Sequence, residues 1–138
     1  MFMLNNGGAT AVAFPDVCVT PVPTPAGPVP TPLPYPNLAS TAMTNPETLS
    51  ETVLVVALPS LNQGSEIPMT EGDEMGVEGG VMSGEFAQVA RFPVGSTCVM
   101  VDGLPAVRLG SPTTHNGMLP NAQGVVATPS QTVVIIRR

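Results

Sequence analysis

The segment 14–37 constrains the fold of this chain more than any other stretch. It reads FPDVCVTPVPTPAGPVPTPLPYPN and contains nine prolines, most of them at every second position. Proline fixes φ near −65° and has no backbone donor, so the segment is excluded from helices and from the centre of a sheet. The residue before each proline is also driven out of the α region. The pattern therefore predicts an extended, polyproline-like strap over residues 14–37.

This strap must either hang free or pack against the rest of the chain. Fully extended, it would reach about 65 Å, whereas a domain of this length has a radius of gyration of about 14 Å. A spacer should join two domains, yet only 13 residues precede the strap. No basic residue flanks its PxxP spacings to orient binding to an SH3-like domain. We therefore expect the strap to pack on a β core formed by residues from about 53 to 138.

Composition limits the class of protein. Gly and Pro number 14 and 17 in 138 residues, which disfavours long helices, while 43% apolar and 10% charged residues argue against disorder. The net charge of −6 leaves no basic patch for nucleic acid. The N-terminus lacks the basic region of a secretory signal, and no run approaches the roughly 18 apolar residues of a membrane span. We expect a single domain, 1–138, made in the cytoplasm and without stable membrane insertion.

The remainder of the chain predicts short strands separated by turns. The apolar run VLVVAL at 53–58 predicts a buried strand ended by a proline. The sequence Asn-Pro-Glu at 45–47 can begin a helical turn that ends near residue 51. Residues 60–80 and 110–123 are typical of long loops, residues 81–92 favour strands, and QTVVII at 131–136 predicts a last strand. No exact internal repeat is evident.

The clearest local signal is a β-hairpin. Asp102-Gly103 is a strong two-residue turn between STCVMV at 96–101 and LPAVRL at 104–109. Pro105 lies near the start of the returning strand, which favours a sheet edge. We predict that Arg108 makes a structural hydrogen bond or ion pair near this hairpin, with Asp102 as a candidate partner. The fold class that follows is all-β: a small, irregular domain with the proline-rich strap and at most one short helix.

Several segments together resemble the PAAR-like proteins of bacterial type VI secretion. They are the strap, then GDEMGVEGGVMSGE, VDGLPAVRLG, SPTTHN and the terminal ATPSQTVVII. The motif that names the family stands here as Pro105-Ala106-Val107-Arg108, with valine in place of the second alanine. The resemblance covers nearly the whole chain. It implies a small cone-shaped β domain that caps and sharpens a trimeric VgrG spike, one copy per trimer, and serves as an adaptor for effector delivery.

The same resemblance implies further partners and a destination. An effector toxin or its chaperone would associate with the tip, and the protein would leave the cytoplasm with the spike. The alternative hypothesis is a small cytoplasmic β module that binds another protein or a metal ion. Both hypotheses predict a protein that is not an enzyme. No G-x-S-x-G elbow supports a triad of Asp102, His115 and Ser111, and no phosphate-binding glycine motif occurs.

Zinc is the cofactor to consider. Relatives in the main PAAR family bind zinc through three histidines and one cysteine, and Zn²⁺ prefers such ligands. His115 is the only histidine of this chain, so the family's ligand set is incomplete. His115 and Cys18 are our first choices for a zinc site, with carboxylates such as Asp16 or Asp102 in addition. We expect Cys98 to be a core residue, since free cysteine is commonly buried.

Overall fold

The computed structural model describes residues 1–137; Arg138, the last residue of the predicted domain, lies outside them. The chain is mostly β-structure with only single turns of helix, which confirms the all-β prediction. The strands are β1 Thr10–Val22, β2 Val29–Ser40, β3 Leu54–Val55, β4 Leu58–Pro59, β5 Glu66–Ile67, β6 Ala90–Arg91, β7 Met100–Val101, β8 Leu104–Pro105, β9 Pro112–His115 and β10 Ala122–Val126.

Two 3-10 turns, Thr41–Met43 and Pro46–Thr48, are the helical elements of the described chain. The second is the helical turn predicted after Asn45, whose side chain accepts a hydrogen bond from the amide of Glu47 at 3.2 Å. The first turn was not predicted. No helix among residues 1–137 has the length and apolarity to cross a membrane.

The proline-rich segment is extended, as predicted, but it does not form a single strap. It folds back on itself as the antiparallel hairpin of β1 and β2, with pairs running from Asp16 opposite Tyr35 to Val22 opposite Val29. The chain reverses at residues 23–28, where Gly27 has a φ of 108°. The hairpin belongs to a six-stranded sheet with the order β2-β1-β10-β9-β6-β5. Strand β2 is therefore an edge strand.

The spacing of the prolines follows from this edge position. Backbone groups alternate in direction along a strand, and Leu38 of β2 donates and accepts hydrogen bonds with Glu71 on the side away from β1. Even-numbered residues of β2 therefore face outward, and four of them are proline: Pro30, Pro32, Pro34 and Pro36. These positions present carbonyl groups but no N–H donors. A strand of another chain cannot pair fully with such an edge.

The hairpin turn predicted at Asp102-Gly103 is confirmed, but its strands cover only Met100–Val101 and Leu104–Pro105 rather than 96–101 and 104–109. The single buried strand predicted at 53–58 is wrong. Strands β7 and β8 pair across Asp102 and Gly103, both at positive φ. Residues 53–58 instead make a second hairpin, β3–β4, which turns at Val56 and Ala57 with φ of 51° and 63°. Non-glycine residues rarely adopt this conformation, so an apolar run gives no sign of such a turn. The hairpin also leaves Leu54 exposed rather than buried.

The buried apolar side chains form two clusters. The larger joins residues of the main sheet to residues outside it, and contains Leu4, Ala9, Ala11, Ala39, Leu61, Ile67, Ala90, Phe92, Val107 and Val126. The smaller contains Met3, Val55, Val101, Ala106 and Ile136. The core thus recruits the N-terminal residues and β1–β2 besides the predicted 53–138 region. Gly124 of β10 permits close packing, because a Cβ there would overlap the carbonyl of Val12.

Candidate functional site

The two short hairpins are copies of one unit. Residues 50–65 read SETVLVVALPSLNQGS and residues 96–111 read STCVMVDGLPAVRLGS, with identical residues at seven of 16 positions. Their hydrogen bonds match as well. The amide of Ser60 donates to the carbonyl of Val53, as the amide of Ala106 does to Val99. The similarity of sequence and bonding shows that this part of the chain is an internal repeat.

A third copy is assembled from the two ends of the chain. The Gln131 side chain accepts hydrogen bonds from the amides of Val133 and Val134, as Ser50 and Ser96 do for the residues two and three positions after them. The outgoing strand then pairs with the N-terminus: Phe2 lies opposite Ile135, and Met1 and Ile136 exchange two hydrogen bonds of 3.0 and 2.7 Å. Only the last part of the strand predicted at 131–136 is paired.

The three copies are joined in a closed cycle. Each returning strand is bridged to another copy through the pairs Met3 with Arg108, Asn5 with Ser60, and Asn62 with Ala106. The residue between the bridged positions is fully buried in every copy: Leu4, Leu61 and Val107. Amide side chains add to two of the connections, from Asn5 to the carbonyl of Val55 and from Asn62 to that of Val101. This cyclic pairing gives the end of the domain a pseudo-threefold axis.

The outer surface of this end repeats an apolar side chain three times. Leu54, Met100 and Ile135 occupy equivalent positions and are 60%, 57% and 59% exposed. A second equivalent set, Leu58, Leu104 and Met1, is also exposed. We call these six residues the base ring. Single exposed apolar groups are ordinary, but apolar residues repeated at equivalent exposed positions favour a surface that meets a partner.

The residues that resemble the family motif belong to this end of the molecule. Pro105 is in β8, and the next two residues, Ala106 and Val107, are fully buried. Asp102, the candidate partner of Arg108, does not form an ion pair with it: within residues 1–137 the ion pair formed is Arg91 with Glu66, at 2.6 Å. Asp102 instead accepts a hydrogen bond from Thr52 at 2.7 Å. Its pKa is lowered by the hydroxyls of Ser50 and Thr52.

A second candidate site is a buried polar cluster where the hairpin of β1 and β2 meets the rest of the chain. Asp16 and Cys18 come from β1, and Asp73 comes from the glycine-rich segment after β5; all three are fully buried. One ligand atom of each lies within 4.8 Å of the others, so this group could hold a metal ion. The Cys18 thiol lies 3.5 Å from an oxygen of Asp16 and 3.7 Å from an oxygen of Asp73.

Three asparagines complete the hydrogen bonding of Asp16. Asn37 donates to its Oδ2 at 2.9 Å, Asn116 donates to its Oδ1 at 3.2 Å, and Asn121 donates to the same Oδ1. Asp73 has a different environment, since its Oδ1 accepts the amide of Ala87 at 3.0 Å while its other oxygen faces the cluster. The two carboxylates thus differ in the number of donors that stabilise their charge.

This difference separates the proton affinities of the pair. Burial, the hydrogen bond to Asp16 and the charge of Asp16 raise the pKa of Asp73 to about 7. Burial would also raise the pKa of Asp16, but the hydrogen bonds from Asp73 and the three amides outweigh it, so that pKa is lowered. Burial and the two carboxyl groups raise the pKa of Cys18 to about 12. In the absence of a cation and below pH 7, Asp73 and Cys18 are the protonated members of the cluster.

His115 is linked to this cluster through Asn37, but it is not one of the three candidate metal ligands. Because Asn37 donates its amide to Asp16, its Oδ1 must accept, and the proton of His115 therefore lies on Nδ1, 2.7 Å away. The Nε2 atom then accepts from Thr113 at 2.8 Å. Burial lowers the pKa of His115 to about 4, so the ring is neutral. Both ring nitrogens are occupied, which does not fit a zinc ligand.

The predicted metal residues are therefore only partly brought together. Cys18 and Asp16 are in one group, and Asp102 is on a hairpin turn in the repeat region. Cys98, predicted to lie in the core, is exposed, and both cysteines are free. Sequence reasoning missed Asp73 as a member of the cluster, together with its asparagines, Asn37, Asn116 and Asn121. The available signal was the GDE at 72–74, within the segment 60–80 that the sequence predicts only as a long loop.

Comparison with known proteins identifies the family of this chain. Residues 9–122 match the model of the Toxin PAAR-like domain, and the chain belongs to this family. Membership supports a general role in association with the spike tip and effectors of type VI secretion, and domains of this family are structural or adaptor modules rather than known catalysts. Searches of curated proteins and of solved structures each gave no significant match.

The protonated state of Asp73 predicts a pH dependence of stability. The pKa of Asp73 is raised from 3.8 to about 7 in the folded protein. The contribution of this carboxyl group to the free energy of unfolding is therefore complete below pH 3.8, and it is lost as the pH rises through 7. Asp73→Asn keeps a donor towards Asp16 and carries no charge. The free energy of unfolding of the variant, relative to wild type, should therefore increase between pH 4 and 7 and stay constant above 7. Urea unfolding of the metal-free protein at several pH values measures this difference, and a difference independent of pH would contradict it.

Proposed function

We propose that this protein caps a trimeric spike protein of the VgrG type, with one copy of the chain on each trimer. The observation that carries the proposal is the pseudo-threefold base ring. A threefold partner offers the same surface three times around its axis. A single chain can meet all three subunits in a similar way only if it repeats its own contacts three times. The three repeat copies and their exposed apolar residues supply that repetition.

The chemistry of the base ring supports the same partner. Leu54, Met100 and Ile135 are large, apolar and equally placed, so each could enter an equivalent apolar depression on one spike subunit. Burial of such side chains stabilises an interface by roughly 1.5–3 kcal/mol each before the costs of association. The prolines of β2 stabilise the fold of the other part of the domain, because each proline reduces the conformational freedom of the unfolded chain.

Co-expression with a VgrG-type trimer encoded nearby tests the proposal. We expect a stable complex, and native mass spectrometry should give one copy of this chain for three spike subunits. A ratio of three copies to three subunits, or failure to bind any such trimer, would contradict capping by a pseudo-threefold base. As part of the same proposal, the cap would leave the cell with the spike and connect it to an effector toxin or its chaperone.

Zinc binding is the second candidate property, and the group of Asp16, Cys18 and Asp73 is the observation that favours it. These residues would act as the ligands, with Cys18 as thiolate, and a bound ion would fix β1 to the segment that carries Asp73. Metal analysis of the purified protein tests this: stoichiometric zinc that is lost in Cys18→Ser would support the site. Substoichiometric zinc in the wild-type protein would reject the zinc site, and the three residues would then be joined by hydrogen bonds alone.

A further inference from the structure

A groove of about 360 Å³ lies outside the base ring. Its apolar lining includes Leu38 of β2, Met43 of the first 3-10 turn and Met69, and these three side chains are exposed. Glu71 and Glu74 also line the groove, and no arginine or histidine does. The groove therefore combines an apolar lining with two carboxylates.

The groove continues an apolar row on the surface of the main sheet. Leu38 lies opposite Val12 of β1, and Val12 lies opposite Val125 of β10. These residues point away from the core, since their neighbours Ala39, Ala11 and Val126 are buried on the other face. An apolar strip thus crosses three strands and leads into the groove. Exposed apolar surface of this continuity is typical of an interaction site.

We propose that this groove binds a segment of another protein in which one or two large apolar side chains are flanked by lysine or arginine. Methionine side chains are flexible and polarisable, so Met43 and Met69 can adapt to an apolar residue of the partner. The carboxylates of Glu71 and Glu74 complement cationic flanks. A second copy of this chain is a poorer occupant, because two grooves in contact would place four carboxylates together with no basic side chain among the lining residues.

This surface is separate from the proposed spike contact. None of the residues that line the groove belongs to the three repeat copies that carry the base ring. The groove would stay accessible when the base ring is covered, so a cap on a spike could hold a second protein at the same time. The inference does not depend on the capping proposal and can succeed or fail without it.

Synthetic peptides are the probe. The first peptide is a 12-mer in which lysines flank two central leucines; the second replaces the lysines with glutamates, and the third replaces the leucines with serines. Binding to the protein labelled with ¹³C at the methionine methyl groups is followed by NMR. The first peptide should shift the signals of Met43 and Met69, and the exposed Met82 and Met118 outside the groove should not respond. The second and third peptides should bind at least about tenfold more weakly.

Matched charge variants distinguish the groove from general attraction to an acidic protein. Glu71→Gln with Glu74→Gln should weaken the first peptide about three- to tenfold, and added salt should reduce the affinity of the wild-type protein. Glu47→Gln with Glu78→Gln removes the same charge outside the groove and should leave the affinity unchanged. Equal weakening by both pairs, equal binding of all three peptides, peptide-induced dimers, or shifts centred on Met82 and Met118 would each overturn the proposal.

Discussion

Replacing Leu54, Met100 and Ile135 together with glutamate should abolish capping of the trimeric spike. These residues occupy the same position in the three hairpins, so the triple change places one carboxylate opposite each spike subunit. A carboxylate buried in an apolar contact without a partner is strongly unfavourable. Loss of three central apolar contacts should lower the affinity by at least about 100-fold. Biolayer interferometry with an immobilised spike trimer measures the change.

The matched control places the same charges elsewhere. Met75, Met82 and Met118 are 71%, 64% and 66% exposed and lie outside the base ring. Their replacement by glutamate adds three charges without altering the proposed contact, and it should leave capping within a few-fold of wild type. Single replacements in the base ring should each weaken capping to a similar degree. If the control variant bound as poorly as the triple variant, net charge rather than the base ring would govern the interaction.

The substitution Asp16→Ala should give the largest loss of stability among single changes in the buried cluster. It removes an acceptor for the amides of Asn37, which lies in β2, and of Asn116 and Asn121, which lie in the connection between β9 and β10. The amides of Asn37 and Asn116 are fully buried, and a buried donor left without an acceptor costs about 1–3 kcal/mol, so the free energy of unfolding should fall by about 2–6 kcal/mol. Urea unfolding followed by circular dichroism at neutral pH measures this loss.

Two further variants show whether the loss comes from the amide network. Glu78→Ala removes an acidic side chain that is exposed and should change stability little. Asn37→Ala with Asp16→Ala should cost less than the sum of the two single changes, because each single change already breaks the shared hydrogen bond. Strict additivity of the two substitutions would show that the Asp16–Asn37 contact contributes nothing to stability.

The sequence predicted the extended form of the proline-rich segment but not its path. Alternating prolines exclude helix and the centre of a sheet, and β2 is indeed an edge strand. The reversal at residues 23–28 could not be distinguished from continued extension, since prolines occur on both sides of Gly27 at similar spacing. The same pattern gave no sign that the prolines of β2 lie on one side of the strand. That information depends on which strand becomes its neighbour.

The candidate sites were predictable to different degrees. The hairpin at Asp102-Gly103 followed from its turn residues, and its relation to residues 50–65 was available as an inexact repeat. The third copy was not, because its two halves are separated by nearly the whole chain. The buried cluster was partly visible: Asp16 and Cys18 were considered as ligands. Asp73 joins them only through tertiary packing, which local patterns do not report.

The pairing of residues 1–5 with residues 131–136 has a consequence for how the domain comes apart. A segment held by few neighbours opens before the rest of a domain does. In this protein residues 1–5 and 131–136 close a ring around Leu4, Leu61 and Val107, so neither segment can detach without opening that ring. These two segments therefore hold the three repeat copies together, and release of either segment exposes the buried side chains of Leu4, Leu61 and Val107 to solvent.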